Sequence, residues 1–281
     1  MDQVQWYPGH MTKAKRQMQE DISLVDLVIE MLDARAVAAS RNPDIDELGK
    51  NRFRLILLNK ADLADEAALR EWIEEFRDRG IRAVALDSRS RGSVREVTRA
   101  VMEVCAQKKE RDLRRGIKNR PVRAMVAGIP NVGKSTFINS FAGRAVAKTG
   151  NKPGVTRGRQ WIRLNRDVEL LDTPGILWPK FEDPVVGLHL AMIGSVRDEI
   201  LDTGDLSLRL LSYLQQHYPE AVPERYGISM TEEPAGLLGE IARIRGCIKK
   251  GGEPDYEKAA RLLLEDFRSG RLGRISLETV S

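Results

Sequence analysis

The sequence is poor in cysteine, histidine and aromatic residues, and no long apolar run interrupts it. Only two cysteines, Cys105 and Cys247, occur in 281 residues. Two cannot build a disulfide framework, and neither stands in a metal-ligand spacing, so a reducing cytosol is the expected setting. Three histidines leave little material for a His-based metal site. No stretch of about 18 uncharged apolar residues is present, which excludes a transmembrane helix and any membrane role built on one. The first residues lack the apolar core of a signal peptide and carry Asp2, Glu20 and Asp21, so secretion and organelle import are not expected. What remains is a soluble globular composition, 42% hydrophobic and 31% charged, able to bury a core. The length predicts one large domain or two unequal ones.

The formal charge of +5 conceals a strong polarity. Residues 107–166 hold 16 Lys and Arg against Glu110 and Asp112, a local +14, while the rest of the chain is −9. If those cations share a face, that face suits a polyanion.

Apolar runs at 25–33 (VDLVIEMLD), 54–59 (RLILLN) and 81–86 (IRAVAL) read as buried strands. Between the last two, Leu69, Ile73 and Phe76 recur at helical spacing, with Gly80 at the C-cap. Strand, helix, strand predicts a parallel sheet with crossover helices. A second helix is expected over 93–106, with Cys105 as a buried or half-buried thiol, and 107–120 reads as a linker or solvated helix end. Residues 122–127 begin another strand, followed by a glycine-rich turn and a helix at 134–142. Strands at 159–164 and 168–172 are joined by a tight turn at Asn165-Arg166-Asp167. Beyond about Trp178 the strand signal stops. Helical stripes then run through 203–218 and 235–248, and a third is expected over 254–268 with Pro254 at its N-terminus.

Three short motifs carry chemistry. Gly128-Ile-Pro-Asn-Val-Gly133-Lys134-Ser135 matches GxxxxGK[ST] and sits between a predicted strand and a predicted helix. The glycines let backbone N–H groups curl around phosphate oxygens, and the helix N-terminus adds its dipole. Asn131, Val132, Gly133, Lys134, Ser135 and Thr136 are therefore the candidate phosphate contacts. Lys134 is expected on the β/γ-phosphates, and the Ser135 hydroxyl on Mg²⁺. Asn59-Lys60-Ala61-Asp62 ends the strand LILL. Its carboxylate can accept from both guanine N1–H and N2–H₂, which adenine does not offer. The stem of Lys60 suits the base plane, and the Asn59 amide suits the base or the neighbouring loops. Asp172-Thr173-Pro174-Gly175 ends the strand VELL; Asp172 is placed for Mg²⁺ and the Gly175 N–H for the γ-phosphate. Thr156, in the loop PGVTRG, fits a switch threonine that completes the Mg²⁺ shell. Asp87-Ser88-Arg89 ends the strand IRAVAL, and a backbone N–H there suits guanine O6. Together these motifs point to GTP, with Mg²⁺ as cofactor.

The order of the motifs is unusual. NKAD and DSR precede the phosphate loop, and DTPG comes last. Because each stands at a strand end, one nucleotide site can be assembled from a rotated chain order. With that order, WYPGHMTKA at 6–14, Asp33-Ala34-Arg35, GIPNVGKST and PGVTRG make the sequence resemble, nearly end to end, the circularly permuted GTPases of the YlqF/YawG type. The resemblance implies an α/β fold: a P-loop GTPase domain with a parallel-rich sheet, circularly permuted, over 1–178, then a smaller all-helical C-terminal domain over 179–281 that contacts RNA or the ribosome. It also implies binding to the precursor of the large ribosomal subunit and its rRNA, late in assembly, by a cytoplasmic protein that is monomeric when free. Ras-like enzymes orient the attacking water with a glutamine just after DxxG; here Ile176 stands there and cannot polarise water, so a low intrinsic rate is expected. By resemblance, His10 is the group that helps, and Asn131 is the residue type that coordinates K⁺ in similar GTPases. Two other readings compete: a regulatory GTPase switch acting on a non-ribosomal protein or tRNA partner, and a P-loop ATP-dependent kinase in which NKAD is accidental. NKAD together with DTPG weighs against the kinase, and the clustered cations favour contact with nucleic acid.

Overall fold

The computed structural model describes residues 16, 18–90, 92–143, 160–172, 183–196, 201–230 and 233–280. Six strands form one sheet: β1 (Leu27–Asp33), β2 (Phe53–Asn59), β3 (Arg82–Leu86), β4 (Val122–Ala127), β5 (Gln160–Arg163) and β6 (Val168–Asp172), in the order β3-β2-β1-β4-β6-β5. All pairings are parallel except β5 with β6 at the edge. All seven residues of β1 are buried, because helices cover both faces of a parallel sheet and its strands need no polar alternation. Leu55 and Leu57 of β2 face one apolar cluster while Ile56 and Leu58 face another, as the two-residue period requires.

The helices near the sheet are α1 (Val37–Ser40), α2 (Pro43–Leu48), α3 (Glu66–Asp78), α4 (Ser93–Val104), α5 (Ala106–Arg114) and α6 (Lys134–Ala142). Asp65 caps α3 by accepting from the N–H groups of Ala67 and Ala68 at 2.8 and 2.9 Å, and Gly80 follows the helix at φ 71°. Leu69, Trp72 and Phe76 of α3 pack on one face of the sheet, and Val97, Ala100 and Val101 of α4 on the other. The expected linker at 107–120 is helical as far as Arg114. A buried Lys108–Asp112 ion pair at 2.8 Å, with Asp26 3.4 Å from the same ammonium, holds α5 against the start of the sheet. Cys105 is fully buried at the α4–α5 joint, and burial, reinforced by Asp26, pushes its thiol up to about 12, so it is an inert packing group.

From Asp183 onward the described residues form helices and one isolated bridge, Ile248 with Pro254. They are α7 (Pro184–Met192), α8 (Thr203–His217), α9 (Ala221–Tyr226), α10 (Pro234–Ile244) and α11 (Tyr256–Arg268). Pro254 does not open α11: the bridge fixes it outside, and Asp255 is the cap, accepting from the Lys258 N–H at 3.1 Å. The helical region is continuous with the sheet, for Leu206, Leu210, Leu237 and Leu263 join the same apolar cluster as Leu27, Leu55 and Val126. The segment after α11 returns along the sheet domain. Ile275 N–H donates to Leu63 O at 3.0 Å and Leu277 N–H to Arg35 O at 2.6 Å. Glu278 caps α1 through the N–H groups of Ala38 and Ala39 and meets His189 Nδ1 of α7 at 2.8 Å.

Candidate nucleotide site

The chain order of the sheet diverges at one point. From β1 the strands run outward to β2 and β3; from the adjacent β4 they run the other way to β6 and β5. Ligand crevices in parallel sheets lie at the carboxyl ends of such neighbouring strands. The register puts Asp33 level with Asn59 and Asn59 level with Leu86, so the ends of β1, β2 and β3 share a rim with the loop that follows Ala127.

That loop is the glycine-rich motif. Gly128 (φ 155°), Asn131 (φ 58°) and Gly133 (φ 104°) all have positive φ, which turns successive N–H groups inward as an anion cradle. Gly128 and Gly133 are also sterically required: a Cβ on the first would lie 2.5 Å from Met31 O, and on the second 2.2 Å from Asn59 Nδ2. Lys134 is buried, and its ammonium donates to Gly128 O and Ile129 O at 2.9 and 2.8 Å, fixing it across its own loop. Ser135 and Thr136 follow in the first turn of α6, half-buried.

Asn59 is the keystone between phosphate and base ends. Its Nδ2 donates to Val132 O at 2.7 Å, and its Oδ1 accepts from the Ser88 N–H at 3.0 Å, both bonds buried. The expectation that a DSR backbone N–H serves guanine O6 is thereby narrowed. The Ser88 N–H is committed to Asn59 and the Arg89 N–H to Asp87 Oδ1. Asp62 lies on the exposed rim, beside Ala61, and Arg89 binds its Oδ2 at 2.5 Å while also gripping Asp87 Oδ1 at 3.0 Å. Asp87 is held below the usual carboxylate range; burial works against this, and the hydrogen bonds from Arg89 outweigh it.

Below the rim lies a group whose role the sequence did not reveal. Asp33, fully buried, accepts from Lys60 Nζ at 2.8 Å and makes a two-oxygen fork with Arg35 Nε and Nη2, each at 2.9 Å. Burial alone would raise its pKa, yet the Arg35 and Lys60 cations hold it well below the usual carboxylate range. Lys60 itself has φ 59°, a backbone strain kept by this anchoring. Arg35 continues into the helical region, donating to Arg268 O at 3.2 Å. Arg268 in turn donates to Met192 O and Ala191 O at 3.0 and 2.8 Å. On the phosphate side, Asn131 Nδ2 donates to Gly194 O at 2.8 Å, at the same corner after α7. Both ends of the site therefore reach the corner at 191–194. Asp33-Ala34-Arg35 was legible in the sequence as a strand end that carries part of the family resemblance, with no role attached, and Arg268 was not singled out at all.

The structure thus brings together Asn59, Lys60, Ala61, Asp62, Asp87, Ser88, Asn131, Val132, Gly133, Lys134, Ser135 and Thr136. Asp172 closes β6, level with Val126 of β4. His10, Thr156 and Gly175 lie outside the described residues, as does Ile176. Among the described residues no three His, Cys, Asp or Glu cluster to hold a metal. Phosphate-bound Mg²⁺ takes one or two protein oxygens and completes its shell with phosphate and water. Ser135, beside Lys134 at the helix start, fits such a ligand. No helix of the described residues is long and apolar enough to cross a membrane.

A phosphate loop after β4, with the NKAD and DSR segments at the ends of strands that come earlier in the chain, defines a circularly permuted P-loop GTPase. Comparison with known proteins agrees. Residues 123–218 match a family described as 50S ribosome-binding GTPase. Ribosome biogenesis GTPase A of Bacillus cereus is 44% identical over 277 residues, covering 98% of this chain and 94% of that one. Its counterpart in Thermotoga maritima is 33% identical over 98% of this chain and 94% of its own. Mitochondrial ribosome-associated GTPase 1 of Mus musculus is also 33% identical, over 99% of this chain and 90% of its own. The crystal structure of GNP-bound YlqF from Thermotoga maritima superposes with a TM-score of 0.66 at 29% identity, covering 95% of this chain and 98% of that one. The chain belongs to the ribosome biogenesis GTPase A family, and its reaction is the hydrolysis of GTP to GDP and phosphate.

Proposed function

We propose that this GTPase is an assembly factor for the large ribosomal subunit, docking on the precursor particle and its rRNA late in maturation and hydrolysing GTP when the particle stimulates it. The observation that carries the reading is the pair of tethers from the nucleotide site to the helical region: Arg35 to the end of α11 and Asn131 to Gly194. A helical domain over 179–281 bonded to the phosphate loop itself can report nucleotide state to a bound particle and receive the particle's signal. The relatives' names, ribosome biogenesis and ribosome-associated GTPases, support a ribosomal partner.

Hydrolysis in this scheme begins with a phosphate cradle of backbone N–H groups and Lys134, which bind and neutralise the β/γ-phosphates. Ser135, Thr156 and Asp172 would hold Mg²⁺, which supplies charge neutralisation on the phosphates. Ile176 leaves the attacking water without a polarising side chain, so the intrinsic rate is low. His10, whose imidazole can accept a proton, orients or deprotonates that water on the particle. The Asn131 Oδ1, its amide nitrogen being used on Gly194, is the oxygen that a K⁺ ion would take. The protein works in the cytoplasm and is monomeric when free.

Sucrose-gradient co-sedimentation with large-subunit precursors tests the reading. Binding is expected with a non-hydrolysable GTP analogue and not with GDP, and particles should raise wild-type turnover well above that of His10→Ala. Nucleotide-indifferent binding removes the switch, and equal stimulation of the variant removes His10 from catalysis. Particles that neither bind nor stimulate leave a GTPase acting on some other partner.

A further inference from the structure

Apart from Lys134 in the phosphate loop, the cations of residues 107–166 that the structure describes do not surround the nucleotide. They gather at the opposite end of the sheet. Arg123 is the second residue of β4, five residues before Gly128, which places it about 17 Å from the phosphate loop along an extended strand. Three elements meet around it. Asp26 and Arg123 exchange backbone and side-chain bonds at 2.7 and 3.0 Å. The Val122 N–H donates to Asp167 O at 2.7 Å, and Lys109 of α5 reaches Asp167 Oδ1 at 3.3 Å. The loop after α5, the start of β4 and the β5–β6 turn thus form one surface. The turn is rigid, because Asn165 Oδ1 accepts from the N–H groups of both Asp167 and Val168, at 2.8 and 2.9 Å.

On that surface Arg115, Lys118, Arg120, Arg123, Arg163 and Arg166 are all exposed. No acidic group forms an ion pair with Lys118 or Arg166 among the described residues; Asp112, whose carboxylate feels Arg115 and Arg120, is already taken by Lys108, and Arg123 lies 3.5 Å from Glu169. In their midst Trp161 is 38% exposed, with the Arg123 guanidinium 5.1 Å from its ring centre. Five of the six cations are arginines, which grip phosphate oxygens in pairs, and an exposed indole on a rigid strand offers a base a flat face.

We propose that this end of the sheet is a second binding surface, taking the phosphate backbone of structured RNA independently of the nucleotide state. Contacts here add a constant share of the affinity for RNA, too small alone to hold a particle, and the nucleotide-sensitive rim opposite supplies the share that differs between GTP and GDP. Only the identity of the natural RNA, rRNA of the large-subunit precursor, rests on the assembly-factor reading.

The test uses the full chain with Lys118→Gln, Arg120→Gln and Arg166→Gln combined, since all three side chains are exposed and stand away from the nucleotide. A 25-base-pair RNA duplex is the probe, with vesicles of anionic phospholipid in parallel. The variant should bind the duplex about tenfold more weakly at 0.1 M salt, and its log–log salt slope should be shallower by about 2. The loss should be equal with GDP and with a GTP analogue, while basal GTPase activity is unchanged. Unaltered duplex affinity and slope overturn the proposal, as does a loss confined to one nucleotide state or stronger patch-dependent binding to vesicles. Patch-dependent duplex binding by a protein that ignores precursor particles would uphold this surface while removing the ribosomal role.

Discussion

Truncating Asn59 to alanine tests the assembly of the site from its two halves. The side chain is 1% exposed and spans the loops through one donated and one accepted hydrogen bond. Asn59→Ala leaves the Val132 carbonyl and the Ser88 N–H buried without partners, each costing about 1–3 kcal/mol. Water entering the vacated space recovers part of this, so a net loss of about 2–4 kcal/mol is expected. Some of that appears as folding stability, read by urea unfolding. The rest appears as nucleotide affinity, because GTP must now order two untethered loops; about 2 kcal/mol corresponds to roughly a 30-fold rise in Kd. Fluorescent GDP and GTP analogues should weaken in parallel, since neither bond lies at the γ-phosphate. Asn59→Asp sharpens the experiment. It preserves the acceptor for Ser88 but sets a carboxylate oxygen against the Val132 carbonyl, so it should bind nucleotide no better than the alanine variant. Wild-type affinity in Asn59→Asp, or a loss confined to GTP, would refute the keystone role.

The remaining expectations concern specificity and acid stability. Asp62→Asn reverses one donor–acceptor partner of the base, so competition binding should show a shift from guanine towards xanthine nucleotides; unchanged GTP preference removes Asp62 from base recognition. Asp266, fully buried in α11, accepts from Arg225 Nε at 2.7 Å, Tyr226 OH at 3.1 Å and Arg271 Nη1 at 2.5 Å. Burial pushes its pKa up, but these partners outweigh it and leave it lowered. Its stabilisation is therefore complete above the unfolded value of about 3.9 and lost as pH falls through the lower folded one. Asp266→Ala should cost about 2–4 kcal/mol at pH 7, less than a fully enclosed pair because Arg225 and Arg271 reach water. The difference from wild type should shrink below pH 4 in urea titrations, and a pH-independent difference would assign the cost to packing instead.

Much was legible along the chain. The six strands lie close to where apolar runs ended in polar residues, because a doubly covered sheet demands such runs. The helix at 134–142 begins and ends as its glycines dictate, both at positive φ. The short helices α1, α2 and α9 went unread, and two longer ones, α7 and α5, were missed or half-read for identifiable reasons. Helix α7 (PVVGLHLAM) has no polar face, so no helical period marks it. Helix α5 read as a linker or a solvated helix end because its stabilising pair, Lys108 with Asp112, is polar yet buried.

The sequence by itself determined the nucleotide class, because phosphate binding needs glycines, a lysine and a hydroxyl at fixed local spacing, and guanine recognition needs a carboxylate at a strand end. It also determined that the charge was polarised, though not where it faces. Only the tertiary structure decided that the described cations other than Lys134 lie at the far end of β4 from the phosphate loop, since strand direction separates residues that are neighbours in the chain. Only it decided that Asp33, Lys60, Arg35 and Arg268 form one path from the base site into the helical region. Those partners are up to 233 residues apart in sequence, and no local pattern records a hydrogen bond closed by the packing of a distant helix.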